Sequence, residues 1–216
     1  MGKKNFIFAS VITILSFVSA IDISAQAEAF FDRVSARFGS IRDYQAHIRI
    51  TYANSDNVME GTIYYKSPNL LRINFTKPRG QVLAVDGNEL IFFIPSHSVI
   101  MVQKLSHHTE SAIISMTHAQ GLHLLKGIKP ITYASGSDPV PLEGTSELVT
   151  KLRFGGRVEV SIGKDLFIRR IEFSGSGIIY DYSNITINQG IPDAQFKYDL
   201  PPTANVISNF LYDPEG

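Results

Sequence analysis

Residues 67–78 read "SPNLLRINFTKP". Pro68 and Pro78 bracket a run in which Leu71, Ile73 and Phe75 take every second place, with Arg72, Asn74 and Thr76 between them. Successive side chains of a strand point to opposite faces, so this spacing predicts a strand with one wet face and one oily face. The fold then turns on what lies against the oily one.

The same period extends in both directions. Upstream, Ile48, Ile50 and Tyr52 alternate with His47, Arg49 and Thr51, and "VMEGTIYYK" (residues 58–66) reads as a second strand. Downstream, "QVLAV-DGN-ELIFFI" (residues 81–94) predicts a hairpin whose Asp86-Gly87 supplies positive-φ residues for a tight turn. "HSVIMVQK" (97–104) follows as a further strand. "VTKLRF-GG-RVEVSI" (149–162) repeats the hairpin around Gly155-Gly156, and "LFIRRIEFS" and "IIYDYSNITI" add two more strands. Short strands joined by Gly or Asp turns predict a mainly β domain, an antiparallel meander curved into an open barrel. Pro139 and Pro141 in "GSDPVPLEG" mark a loop.

Two stretches break the period of two. In "AEAFFDRVSARFGSI" (residues 27–41), Phe31, Val34, Phe38 and Ile41 recur at helical spacing, and Gly39-Ser40 marks the end of an N-terminal amphipathic helix. In "TESAIISMTHAQGLHLLKG" (residues 109–127), Ile113, Met116, Ala119, Leu122 and Leu125 lie three or four apart. Thr109 is a candidate N-cap with Glu110 in the first turn, and Gly121 divides this segment in two.

Composition narrows the function. Lys+Arg and Asp+Glu are both 20, so no charge bias points to nucleic acid or an anionic surface, and no basic patch is interleaved with aromatics. Lys3 and Lys4 precede an apolar run from Phe6 to Val18, too short for a comfortable membrane span. Small residues follow, so residues 1–27 read as a secretory signal peptide cleaved after Ala27 ("AQA"), or after Ala20 ("VSA"). Residues 28–216 then form a single domain. The chain has no cysteine, hence neither a disulfide nor a lipidated Cys, and the mature protein is expected to be soluble outside the cytoplasm. The six histidines match no standard metal-ligand spacing, although His107, His108 and His118 lie near one another in sequence. No nucleophile-elbow or phosphate-loop motif is present, so neither a cofactor nor an enzymatic activity is expected.

On composition alone, Leu71, Ile73 and Phe75 read as ordinary core, since apolar strand faces usually pack against protein. A resemblance shifts that balance. Glu60-Gly61, the pair Tyr64-Tyr65, Lys66, Pro68-Asn69-Leu70, Thr76-x-Pro78, Asp86-Gly87 and Phe93-x-Pro95 occur in an order and spacing that resembles the signature region of the LolA family, periplasmic carriers of outer-membrane lipoproteins. Outside that region the likeness is looser but runs nearly end to end, through "FKYDLPPTANV" (residues 196–206). The resemblance implies an unclosed antiparallel half-barrel with a helical lid over a hydrophobic cavity for acyl chains. It implies as partners acylated lipoproteins, an inner-membrane lipoprotein-releasing ABC transporter and an outer-membrane acceptor. A monomer without nucleic acid is expected.

Carried onto these residues, the cavity lining is expected to comprise Ile50, Tyr52, Met59, Ile63, Tyr65, Leu71, Ile73, Phe75, Ile91 and Phe93. Alternation assigns the first eight inward. Around Ile91 and Phe93 every position is apolar, Leu90, Phe92 and Ile94 included, so the phase there stays open. The expected lid residues are Ile113, Met116, Leu122 and Leu125, with Gly121 as a hinge and Met101 and Met116 as adaptable apolar surface. One position departs from the family pattern. An arginine there is thought to latch the lid, and here the residue is Ser67, shorter and uncharged. A sensor or regulator built on the same half-barrel, or a carrier of another lipid, is the alternative.

Overall fold

The computed structural model describes residues 23–53, 55–105, 122 and 125–209 of the 216-residue chain. Its centre is β1 (Asp43–Tyr52), which pairs on one side with β2 (Ser55–Lys66) and on the other with β12 (Ile178–Ile187). From β1 the sheet runs one way through β2, β3 (Leu70–Lys77), β4 (Val82–Val85), β5 (Glu89–Ile94) and β6 (Val99–Lys104). It runs the other way through β12, β11 (Ile168–Phe173), β10 (Val158–Gly163), β9 (Leu148–Phe154) and β7 (Ile131–Tyr133). The two-residue strand β8 (Val140–Pro141) pairs with β9, a short bridge inside a stretch that reads as loop. The sheet is thus two meanders joined along β1 and β12, and it does not close: β7 ends one edge and β13 (Asn205–Ser208) the other.

Among the described residues the expected antiparallel meander holds except at that second edge, where β13 runs parallel to β6. The cause lies in the preceding segment, which crosses the back of the sheet before adding its strand. Lys66 Nζ donates to the Ile191 carbonyl at 2.9 Å, and Arg72 Nη1 donates to the carbonyls of Gln195 and Lys197 at 3.1 and 2.8 Å. The Arg72 guanidinium also sits 5.5 Å from the Tyr198 ring. Asp43, 4% exposed, accepts from the backbone N–H groups of Gln189 and Gly190. A chain held this way enters the edge of β6 in the same direction as β6.

The N-terminal helix α1 spans residues 23–39, beginning four residues before the stretch read as helical. Its apolar stripe, Ala27, Phe31, Val34 and Phe38, repeats at steps of four, three and four, which keeps one face toward the core. Phe31 packs edge-on against Phe154 of β9 with ring centroids 4.9 Å apart, and Phe38 meets Phe167 at 4.8 Å. Full burial of Phe31 and Val34 contributes about 1.5–3 kcal/mol each. Ser24 Oγ donates to the Ile131 carbonyl and the Tyr133 hydroxyl to the Gln26 carbonyl, fixing the helix start to β7. The helix therefore covers the β7–β11 half of the concave face.

Both predicted hairpins form. At 86–88 only Gly87 has positive φ (+98°). Asp86 contributes differently from the expectation: its carboxylate accepts from the N–H groups of Asn88 and Glu89, both at 2.9 Å. Gly61, the glycine of the Glu60-Gly61 signature, sits where strands β2 and β3 shift register. A Cβ there would stand 2.4 Å from the Asn74 carbonyl oxygen and 2.9 Å from Phe75 Cα, so only glycine fits the close approach.

Candidate functional site: the concave face of the sheet

Strand register carries the apolar positions across the sheet in rows. Tyr65, Leu71, Val85 and Leu90 stand opposite one another through β2 to β5. Ala46, Ile63, Ile73, Leu83 and Phe92 form the next row, and Tyr182, Ile48, Gly61 and Phe75 the third. Beyond them Tyr180, Ile50 and Met59 line up toward the β1–β2 turn. All of these except Gly61 belong to, or pack against, one core cluster with the α1 stripe.

Of the ten lining residues expected from the sequence, six lie buried in that cluster: Ile50, Ile63, Tyr65, Leu71, Ile73 and Phe75. Met59 is half-buried against it, and Tyr52 is 36% exposed at the mouth. Ile91 and Phe93 are placed on the opposite side. Their cross-strand partners are Ala84 and Val82, which in turn face Arg72 and Asn74 of β3, whereas Leu90 and Phe92 face Val85 and Leu83 on the concave side. The physical reason is the segment behind the sheet. The Phe93 ring lies 6.0 Å from Tyr198, and Phe196 in the same segment is 1% exposed, so the back of β4 and β5 needs apolar residues as well. β5 is oily on both faces for two different reasons.

Among the expected lid residues, Leu122 is 3% exposed and part of the concave cluster, and Leu125 packs against it. Ile113, Met116 and the proposed hinge Gly121 lie outside the described residues, as do His107, His108 and His118. Lys126 pairs with Asp32, and Lys129 with Glu28, both on α1. Exposed pairs of this kind are worth little each, and what they mark is the proximity of residues 126–129 to the helix. Ser67 is exposed in the β2–β3 turn, where its N–H donates to the Arg42 carbonyl at 2.7 Å.

At the mouth the wall opens into a groove of about 680 Å³. Tyr52, Met59 and Phe92 reach it from the concave face, and Asp56, Asn57, Lys77 and Gln81 give it a polar rim. The wall behind the groove is rich in phenols. Burial, then the neighbouring phenols of Tyr182 and Tyr65, hold the Tyr44 hydroxyl well above the ordinary tyrosine range. Burial does the same to Tyr182, with Tyr180 adding to it, and to Tyr180, with Tyr52 adding to it. Tyr65 is raised by burial and drawn partly back by a hydrogen bond with the Ser67 side chain. All four are therefore neutral hydroxyls at physiological pH. Tyr44, Tyr180, Tyr182 and Leu83 escaped the sequence reading, and Phe92 belongs to the alternative phase that it left open for β5. The alternation of Tyr180 and Tyr182 in β12 was a usable signal for two of them.

Among the described residues no group of three His, Cys, Asp or Glu side chains is placed to hold a metal, and no helix is long and apolar enough to cross a membrane. What the site offers is a broad apolar area along which phenol hydroxyls are lined up.

A family described as outer membrane lipoprotein carrier protein LolA matches residues 49–199. Among solved structures, the chain is similar to an uncharacterized conserved protein from Thermus thermophilus, at 17% identity and a TM-score of 0.55, over 85% of this chain and 99% of that one. It is also similar to MucB, at 11% identity and a TM-score of 0.53, over 85% of this chain and 66% of that one. In the Pseudomonas aeruginosa MucA/MucB complex the figures are 10%, 0.51, 81% and 61%. At such identities these structures speak to the fold alone. None of the curated proteins compared with the chain matches it.

Proposed function

The chain belongs to the LolA family, and on that premise we propose that it is a periplasmic carrier of acylated lipoproteins. The observation that carries the reading is the concave face itself, apolar in register from β12 across β1 to β5 and opening into a groove at one end. Acyl chains have no polar handle, so a carrier must supply area. At about 0.8 kcal/mol per buried CH₂, an anchor of two or three chains cannot cross water uncovered.

The wall residues are covered in this structure, so loading has to uncover them. Leu122 and Leu125, with Ile113 and Met116 on the same stretch, are the apolar face we assign to a movable lid. Cargo chains would enter beside Tyr52, Met59 and Phe92 and take the place of the lid residues in the cluster that also holds Leu71, Ile73 and Phe75. The chain would receive its cargo from a lipoprotein-releasing ABC transporter in the inner membrane and pass it to an outer-membrane acceptor. Export by an N-terminal signal peptide fits this route. Cleavage after Ala20 rather than Ala27 is the version we favour, because Ala27 is fully buried and Ser24 and Gln26 bond to β7.

The decisive experiment incubates the purified mature chain with inner-membrane vesicles bearing a lipoprotein and the releasing transporter. A soluble one-to-one complex carrying the lipoprotein is the expected product. A chain that extracts only free lipid would be a carrier of another lipid, and one that extracts nothing would refute the reading.

A further inference from the structure

A wall built only to hold hydrocarbon has no use for hydroxyls, yet five of the nine tyrosines lie along this one. Tyr52 lines the groove at the mouth. Tyr180 pairs with Ile50 and Tyr182 with Ile48, so the two follow Tyr52 inward on neighbouring strands β1 and β12. Tyr44 and Tyr65 close the line as a cross-strand pair with ring centroids 5.3 Å apart. The line thus runs from the groove to the far end of the concave face, where the Tyr65 hydroxyl donates to the Pro68 carbonyl at 3.3 Å.

Tyr182 is the exception within the line. It is 6% exposed, its hydroxyl oxygen is shielded from solvent, and it has no hydrogen-bond partner among the described residues. A buried donor without an acceptor costs stability, and a phenylalanine would fill the same space without that cost. The complementary deficit belongs to an acyl anchor. Each ester carbonyl at the head of an acyl chain is an acceptor with no donor of its own, and it loses its water on entering an apolar site. We infer that the Tyr182 hydroxyl donates a hydrogen bond to an acyl carbonyl of the cargo, so that this wall prefers acyl esters to plain hydrocarbon chains. The inference rests on the carrier reading and adds the chemistry it recognises. It places the head of the anchor midway along the tyrosine line, with the chains extending over Phe75, Ile73 and Leu71.

The test compares wild type with Tyr182→Phe on three probes: a diacylglyceryl lipopeptide, its ether-linked analogue in which each carbonyl becomes a methylene, and dipalmitoylglycerol. Wild type should prefer the ester lipopeptide to the ether. Tyr182→Phe should reduce that preference about fivefold, the worth of one neutral hydrogen bond, without lowering the thermal midpoint. An equal loss on dipalmitoylglycerol supports recognition of the glyceryl ester from any source. A loss confined to the lipopeptide supports a carbonyl of the cysteine-linked anchor. Equal weakening of the ester and ether probes, or an unchanged preference, overturns the inference and leaves the carrier reading intact. Wild type that binds no probe overturns both.

Discussion

Leu71→Glu asks whether the concave wall is dry. Leu71 is 2% exposed, and the residues in register with it, Tyr65, Val85 and Leu90, are exposed by 5%, 0% and 2%. None of the three carries a charge. A carboxyl group in such a place has its pKa raised by about 3 units. At about 1.4 kcal/mol per unit, that costs about 4 kcal/mol at pH 7. Loss of the buried leucine adds about 2 kcal/mol. The total, about 6 kcal/mol, approaches the whole stability of many domains. For a domain of this size it corresponds to a fall in thermal midpoint of about 12 to 24 °C.

The pH dependence supplies the internal control. The introduced carboxyl holds its proton more tightly folded than unfolded, so between about pH 4.3 and the raised value the folded state binds more protons. Stability of the variant therefore falls, relative to wild type, as pH rises through that window. It recovers as pH drops toward the unfolded value, where both states are protonated. Thermal melts of the two proteins at pH 7 and pH 5 should show the gap shrink by more than half its electrostatic part. A gap of under about 4 °C at pH 7 that does not change with pH would mean that water reaches Leu71. The covered wall described above would then be wrong, and the site would be a wet cavity that cargo fills without displacing a lid.

Tyr52→Glu, at a position 36% exposed, should shift the midpoint by only a few degrees while sharply reducing lipoprotein uptake from vesicles, because the charge sits in the groove mouth. Unimpaired uptake would remove the mouth from the entry path. Gly61→Ala should lose about 2 kcal/mol or more in urea unfolding, since the clash is with the backbone of Asn74 and Phe75, which cannot swing aside as a side chain would. Wild-type stability in that variant would contradict the close strand approach. N-terminal sequencing of the exported protein should begin at Ile21. A mature chain starting at Glu28 would show that the first turn of α1 is dispensable, and one still carrying Phe6 to Val18 would refute a soluble carrier.

The fold was legible where one face of an element is wet and the other dry. β3 is such a case: Arg72 and Asn74 mark the phase of Leu71, Ile73 and Phe75, and two prolines mark its ends. In β1 and in α1 the same contrast fixed the inward face, and eight of the ten expected lining residues came out on the concave side or at its mouth. β5 shows where that logic stops. "ELIFFI" has no polar residue after Glu89 to set its phase, because one face meets the concave core and the other meets the segment around Phe196 and Tyr198. The phase of β5 is decided by pairing with β4, a tertiary fact with no local trace.

The tyrosines were obscure for a related reason. A tyrosine is amphipathic, so Tyr180 and Tyr182 read equally well as a wet or a dry face, and what turns them inward is the junction of β12 with β1, more than 120 residues away in sequence. The start of α1 was misplaced because Ser24 to Ala27 also suit a cleavage site, whereas in the structure they form the first turn of the helix, held there by bonds to Ile131 and Tyr133. In each case the missing information is a contact across the sheet. The residues hardest to place from sequence, Phe92, Tyr180 and Tyr182, lie along the proposed cargo wall, and their substitution should separate cargo binding from folding.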